Sequence, residues 1–152
     1  MDVSFINPFV SATIVCFKTM VNTDVTPMKP SLKGEPYPTY DISGVIGLSG
    51  EAQGSVSLSF PHDVAIKVIS SMLGCGITDK SPELTDGIGE IANIIAGNAK
   101  RGLTKYNLSI SLPNVIIGKG HIIGGQSSCP TIIVPFSSNI GIFAMEVALK
   151  TK

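Results

Sequence analysis

The sequence predicts an α+β fold: a mostly antiparallel sheet with helices packed against it and one long exposed helix, about 82–102. Three observations predict it. Two adjoining segments, 42–48 and 52–60, alternate apolar with small residues at period two. Apolar residues recur at helical spacing over 8–21, 61–73 and 82–102. The C-terminal third returns to strand-like runs.

Asn7 followed by Pro8 fits an N-cap with proline at the first helical position. Phe9, Val10, Thr13, Ile14, Phe17, Met20 and Val21 then make 8–21 an amphipathic helix. Residues 22–38 contain Pro27, Pro30, Pro36 and Pro38 and read as a loop. Ile42, Gly44, Ile46 and Leu48, then Ala52, Gly54, Val56, Leu58 and Phe60, form the two arms of a hairpin with one buried face. Pro61 opens a second helix whose inward residues are Val64, Ala65, Val68, Ile69, Met72 and Leu73, and Gly74 stops it. Strands are expected over 113–121, 130–136 and 139–149. In the last, Phe143, Met145, Val147 and Leu149 share one face while Ile140, Ile142 and Ala144 line the other. Such a strand is either central or pairs with a second subunit.

At 152 residues, with 43% apolar and 14% charged residues, the expectation is a single domain over 1–152 with a real core, not a disordered chain. Eleven basic and 11 acidic residues give zero formal net charge and no basic stripe, which argues against a nucleic-acid partner. No apolar run approaches the ~18 residues that span a bilayer, so no membrane insertion is expected. The apolar start, MDVSFINPFVSATIVCF, lacks the basic region of a secretory signal and breaks at Asn7-Pro8. Cys16, Cys75 and Cys129 show neither pairing nor metal-ligand spacing, so reduced thiols in a cytoplasmic protein are expected.

The long helix carries the polar feature. At about 100° per residue, Leu84, Ile88, Ile91 and Ile95 form a narrow core stripe. Asp86, Glu90, Asn93, Gly97 and Lys100 cluster opposite it, and Glu90 and Asn93 are neighbours one turn apart. Gly97 lies a turn beyond Asn93, and Gly89 lies on its flank. Both glycines are expected to lower the surface around the amide for a partner, although each costs about 1 kcal/mol of helix stability. On spacing alone, two alternatives stand: Glu and Asn merely solvate the face, and the glycines mark tight packing against another element. Asn98, near the core stripe, is expected as a satisfied buried amide. Asp86 also fits compensation of charge at the helix N-terminus, and Lys100 with Arg101 suits the C-terminal dipole.

The spacing Glu90-x-x-Asn93, continued as EIANIIAGNAK, resembles the CheC/CheX/FliY family of chemotaxis phosphatases. INPFVSATIVCFKTM, GEAQGSVSLSF and AIKVISSMLG are similar to the family's first helix, hairpin and second helix, in the same order. A single Glu-x-x-Asn, absent from the first helix, is the CheX arrangement. The resemblance implies a CheC-like fold, a homodimer, and a CheY-like response regulator phosphorylated on aspartate as substrate. It implies that Asn93 orients the attacking water and that Glu90 pairs with the regulator's lysine, with Asp86, Gly89, Gly97 and Lys100 as partner-contacting positions. It implies no cofactor bound by this chain, the Mg2+ being supplied in the regulator's site. A non-catalytic module that binds a regulator or scaffold is the alternative from another class, and an unrelated ligand-binding domain a third.

Other signals are declined. GKGHIIGG, 118–125, lacks the helix that must follow a phosphate loop. His62 and His121 lack the neighbours of a metal site, and His62 near a helix start reads as solvated.

Overall fold

The computed structural model describes residues 3–32, 40–121 and 130–151. Helices α1 (Ile6–Cys16), α2 (His62–Leu73) and α3 (Pro82–Gly102) accompany an eight-stranded sheet. Its strands are β1 (Thr26–Pro27), β2 (Ser31–Leu32), β3 (Tyr40–Gly50), β4 (Ala52–Phe60), β5 (Leu108–Ile110), β6 (Asn114–His121), β7 (Thr131–Ser137) and β8 (Phe143–Thr151). The order is β1-β7-β8-β4-β3-β5, with β2 also on β7 and β6 also on β3, and every pairing is antiparallel. The α+β expectation holds, and β8 is a central strand between β7 and β4.

The helices lie against the sheet face that carries Ile42, Ile46, Val56, Leu58, Phe60, Met145 and Val147, all fully buried. A stack of phenyl rings closes one end of this core: Phe143 lies 4.6 Å from Phe17, 5.1 Å from Phe60 and 5.2 Å from Phe136. Phe17 continues α1 and opens a π-helical turn, Phe17–Val21, that ends at Asn22 in the left-handed region, φ 55°. Asparagine tolerates that conformation better than most residues.

Several boundaries differ from expectation. A 3-10 turn, Val3–Phe5, precedes α1, so Asn7 and Pro8 lie inside the first helical turn and Phe5 takes the cap position. Pro8 is tolerated there because first-turn N–H groups have no partner within the helix. The expected loop 22–38 contains β1 and β2, which pair with the outer edge of β7. Pro27 fits such an edge strand, which need not donate outward. Residues 33–38 of that expected loop, Cys129, and the part of 118–125 beyond His121 lie outside the described residues.

The last strand begins at Phe143 because Gly141, φ 133°, makes a turn in which Ser138 Oγ donates to the Gly141 carbonyl at 2.7 Å. Ile142 is consequently 50% exposed and does not line the sheet. Leu73, expected inward, is also exposed. The short strand β5 was not legible beforehand. Nor is the second face of the hairpin open to solvent: Ser43, Ser57 and Ser59 are buried. Ser43 and Ser59 hydroxyls lie 2.7 Å apart, and Ser43 Oγ lies 2.7 Å from Nε2 of His121. Buried hydroxyls are stable only when paired in this way.

Candidate functional site

Helix α3 begins with Pro82 at its first turn and Glu83 near its positive end, and finishes with Lys100 and Arg101 near its negative end. Leu84, Ile88, Ile91 and Ile95 are buried as expected, and Ala92, Ala96 and Ala99 are buried with them. Small side chains on this face let the helix lie close to its supports. The opposite face presents Asp86, Glu90 and Lys100 exposed, with Asn93 and Gly97 half-buried. Among the described residues, the side chains of Glu90 and Asn93 have no hydrogen-bond or ion-pair partner. The two expected site residues therefore share one outward surface with donors and acceptors unspent.

Helix α1 runs antiparallel beside α3. A methyl on Gly102 would stand 3.0 Å from Cβ of Pro8, whereas Glu90, far along α3, influences Cys16 at the end of α1. Burial, with the Glu90 carboxylate as the smaller cause, pushes the Cys16 thiol up to about 11. That thiol is neutral at physiological pH and therefore a poor nucleophile. Between the helices lies an open groove of about 640 Å³, lined by Asn7, Ser11, Ala12, Val15 and Asn98 among others. Asn98 is thus half-buried on a groove wall, not the buried amide expected, because α1 leaves room beside it.

The three interior glycines of α3, Gly87, Gly89 and Gly97, divide. Gly97 alone is open, with nothing within 4 Å of an added methyl. Gly87 is buried, and a methyl there would stand 2.6 Å from Cδ1 of Ile69 on α2. Gly89 is buried too, 3.4 Å from Cγ2 of Val115 and 3.5 Å from Cγ of Pro113 by the same measure. Gly89 was expected to lie open beside Asn93, and its position corrects that. Gly87 fits close packing, Gly89 faces β6 at ordinary contact distance, and Gly97 lies open on the outward face.

Other candidates fall elsewhere. The backbone N–H of His62 donates to Asp41 Oδ2 at 2.9 Å, and that of Gly120 to Oδ1 at 3.1 Å. These two donors hold the Asp41 carboxyl below its usual range. Asp41 thereby caps α2 and ties it to β6. Among the described residues, no three His, Cys, Asp or Glu side chains are grouped as metal ligands, and no helix is long and apolar enough to cross a membrane.

The geometry has counterparts in known proteins. The profile of the family described as "Chemotaxis phosphatase CheX" matches residues 42–137. The chain belongs to the CheX family. A CheC-like superfamily protein from Shewanella sp. PV-4 is 36% identical, with 99% of each chain covered and a TM-score of 0.91. The CheY-P phosphatase CheX of Thermotoga maritima is 27% identical over 122 residues, covering 78% of this chain and 79% of the relative. The CheX–CheY–BeF3–Mg2+ complex from Borrelia burgdorferi contains a chain 25% identical, with 98% and 99% covered and a TM-score of 0.84. The CheX-family fold thus extends beyond the matched segment to α1 and β8, and the exposed Glu90–Asn93 surface lies within the match.

Proposed function

We propose that this chain is a phosphatase that stimulates hydrolysis of the phospho-aspartate of a CheY-type response regulator. The observation that carries the reading is an unengaged carboxylate and carboxamide, Glu90 and Asn93, one turn apart on the outward face of α3 in a CheX-family chain. The relative from Thermotoga maritima is a CheY-P phosphatase, and the relative from Borrelia burgdorferi forms a complex with CheY, BeF3 and Mg2+.

Asn93 is the residue we assign to the chemistry. An acyl phosphate is already prone to hydrolysis, and phosphoryl transfer is limited by positioning and charge stabilisation. A carboxamide serves both needs: its oxygen accepts a hydrogen from the attacking water, and its NH2 donates to a phosphoryl oxygen. A carboxylate in its place would be repelled by the phosphoryl group. Water held in line adds to phosphorus as the bond to the aspartyl oxygen breaks, leaving inorganic phosphate and a free aspartate.

Glu90 is assigned to anchoring. Its carboxylate pairs with the lysine of the regulator's phosphorylation site and fixes how far the Asn93 amide enters. Mg2+, held with the regulator, neutralises phosphoryl charge. Asp86 and Lys100, exposed on the same face, and the open Gly97 border the contact, and the site is completed only by the partner. Gly89 supports the helix from below and takes no part in the contact surface.

A homodimer in the cytoplasm is part of the same reading. Leu112, Ile116 and Ile117 at and before β6 are 86%, 40% and 60% exposed, and a second copy would cover them. Light scattering of Ile117→Glu tests this: a monomer is expected, and an unchanged dimer places the contact elsewhere.

The deciding experiment is phosphate release from a CheY-type regulator, phosphorylated with a small-molecule donor, with and without this chain. Acceleration supports the phosphatase. Binding without acceleration makes the chain a non-catalytic regulator-binding module.

A further inference from the structure

Gly44, in the middle of β3, is buried directly beneath α3. A methyl there would stand 3.0 Å from Cβ of Ala92, 3.0 Å from the backbone oxygen of Ile88 and 3.2 Å from Cγ2 of Ile88. Two of those atoms, a backbone oxygen and a Cβ, cannot move by rotating a side chain. The helix itself would have to shift. In the antiparallel ladder Gly44 is paired with Leu58 on one side and Val115 on the other. That rung is therefore large, small, large. The helix sinks into its centre at Ala92 while Val115 meets the bare Cα of Gly89 on its flank. The contacted positions Gly89 and Ala92 bracket Glu90, and Ala92 immediately precedes Asn93.

We propose that Gly44 is a positioning residue that sets the height at which α3 presents Asn93 to the phosphorylated regulator. The inference rests on the phosphatase reading, and extends it to a residue on the opposite side of the helix from the partner. The anchor and the amide act at a fixed depth, so a lift of a few tenths of an ångström displaces the water that Asn93 holds. Catalytic groups held by packing from below tolerate such shifts poorly.

The test is Gly44→Ala, assayed at a temperature where every variant is fully folded by circular dichroism. The expected result is a fall of about tenfold in phosphate release at saturating regulator, with apparent regulator affinity changed less than about twofold. The double variant Gly44→Ala/Ala92→Gly removes the methyl on the helix side of one of the two 3.0 Å contacts, leaves the Ile88 oxygen, and is expected to recover part of that rate. Gly102→Ala, equally tight against Pro8 but at the far end of α3, is the control and is expected to keep the full rate. A purely structural role would leave all folded variants equally fast.

Should Gly44→Ala not fold, Ala92→Val loads the same contact from above and is expected to give the same fall. Full activity in folded Gly44→Ala, or in folded Ala92→Val where that variant is the one assayed, overturns the proposal. So does a double variant no faster than Gly44→Ala alone. Wild-type and Asn93→Ala proteins run alongside separate the two claims. If wild type accelerates release and Asn93→Ala does not, a failure at Gly44 removes only the positioning role. If wild type gives no acceleration, the phosphatase reading itself fails.

Discussion

Cγ2 of Val115 packs against the open Cα of Gly89, where a methyl would come within 3.4 Å of it. A methyl at this point would sit in ordinary van der Waals contact with β6, facing the sheet one residue before Glu90. Gly97, on the outward face, has no such contact, and the two positions should answer differently to substitution.

Gly97→Ala meets nothing within 4 Å and gains helix propensity. It should raise stability by about 0.5–1 kcal/mol, read as a higher melting temperature. If the regulator docks closely against this face, the same methyl raises the apparent KM for the phosphorylated regulator. A variant that is more stable and has an unchanged KM shows that Gly97 lies outside the contact.

Glu90 contributes an exposed charge one turn from Asn93. Glu90→Ala should weaken regulator binding and slow release together, and raised ionic strength should reduce the wild-type affinity toward that of the variant. Unchanged affinity in Glu90→Ala would contradict its role as anchor.

Asp41 supplies a pH-dependent element of stability. Its folded-state carboxyl is held low by the His62 and Gly120 N–H groups. The stabilisation is therefore present above the unfolded carboxylate value, about 3.9, and is lost as pH falls through the lower folded value. Asp41→Asn should melt below wild type near neutrality, and the two curves should converge in acid. A gap that persists in strong acid would mean that Asp41 acts through packing instead.

Much of this was legible in the sequence, for physical reasons that can be named. Period two in 42–60 and helical spacing in 82–102 fix faces, and a face that must be buried fixes an element. Glu90 and Asn93 were legible because a polar pair opposite a strict apolar stripe has to point outward. Asn98, Gly89 and Leu73 were not. Whether a residue at the margin of a stripe is covered depends on the neighbour across it, and α1, β6 and the surface beside α2 are not local in sequence. Gly44 gave no signal among alternating residues, because its meaning lies in Ala92, nearly fifty positions away. The prolines of 22–38 concealed β1 and β2, since proline argues against a strand in general yet is tolerated where no N–H need be donated, as at an edge.

The central claim is that one carboxamide, at Asn93, orients the hydrolytic water. Single-turnover phosphate release from the phosphorylated regulator, measured with wild type and Asn93→Ala at matched occupancy, tests it most directly. The account predicts that the variant binds the regulator as wild type does while its acceleration falls by about 10²-fold or more, to the regulator's own rate. Wild-type acceleration in a fully bound Asn93→Ala would contradict it.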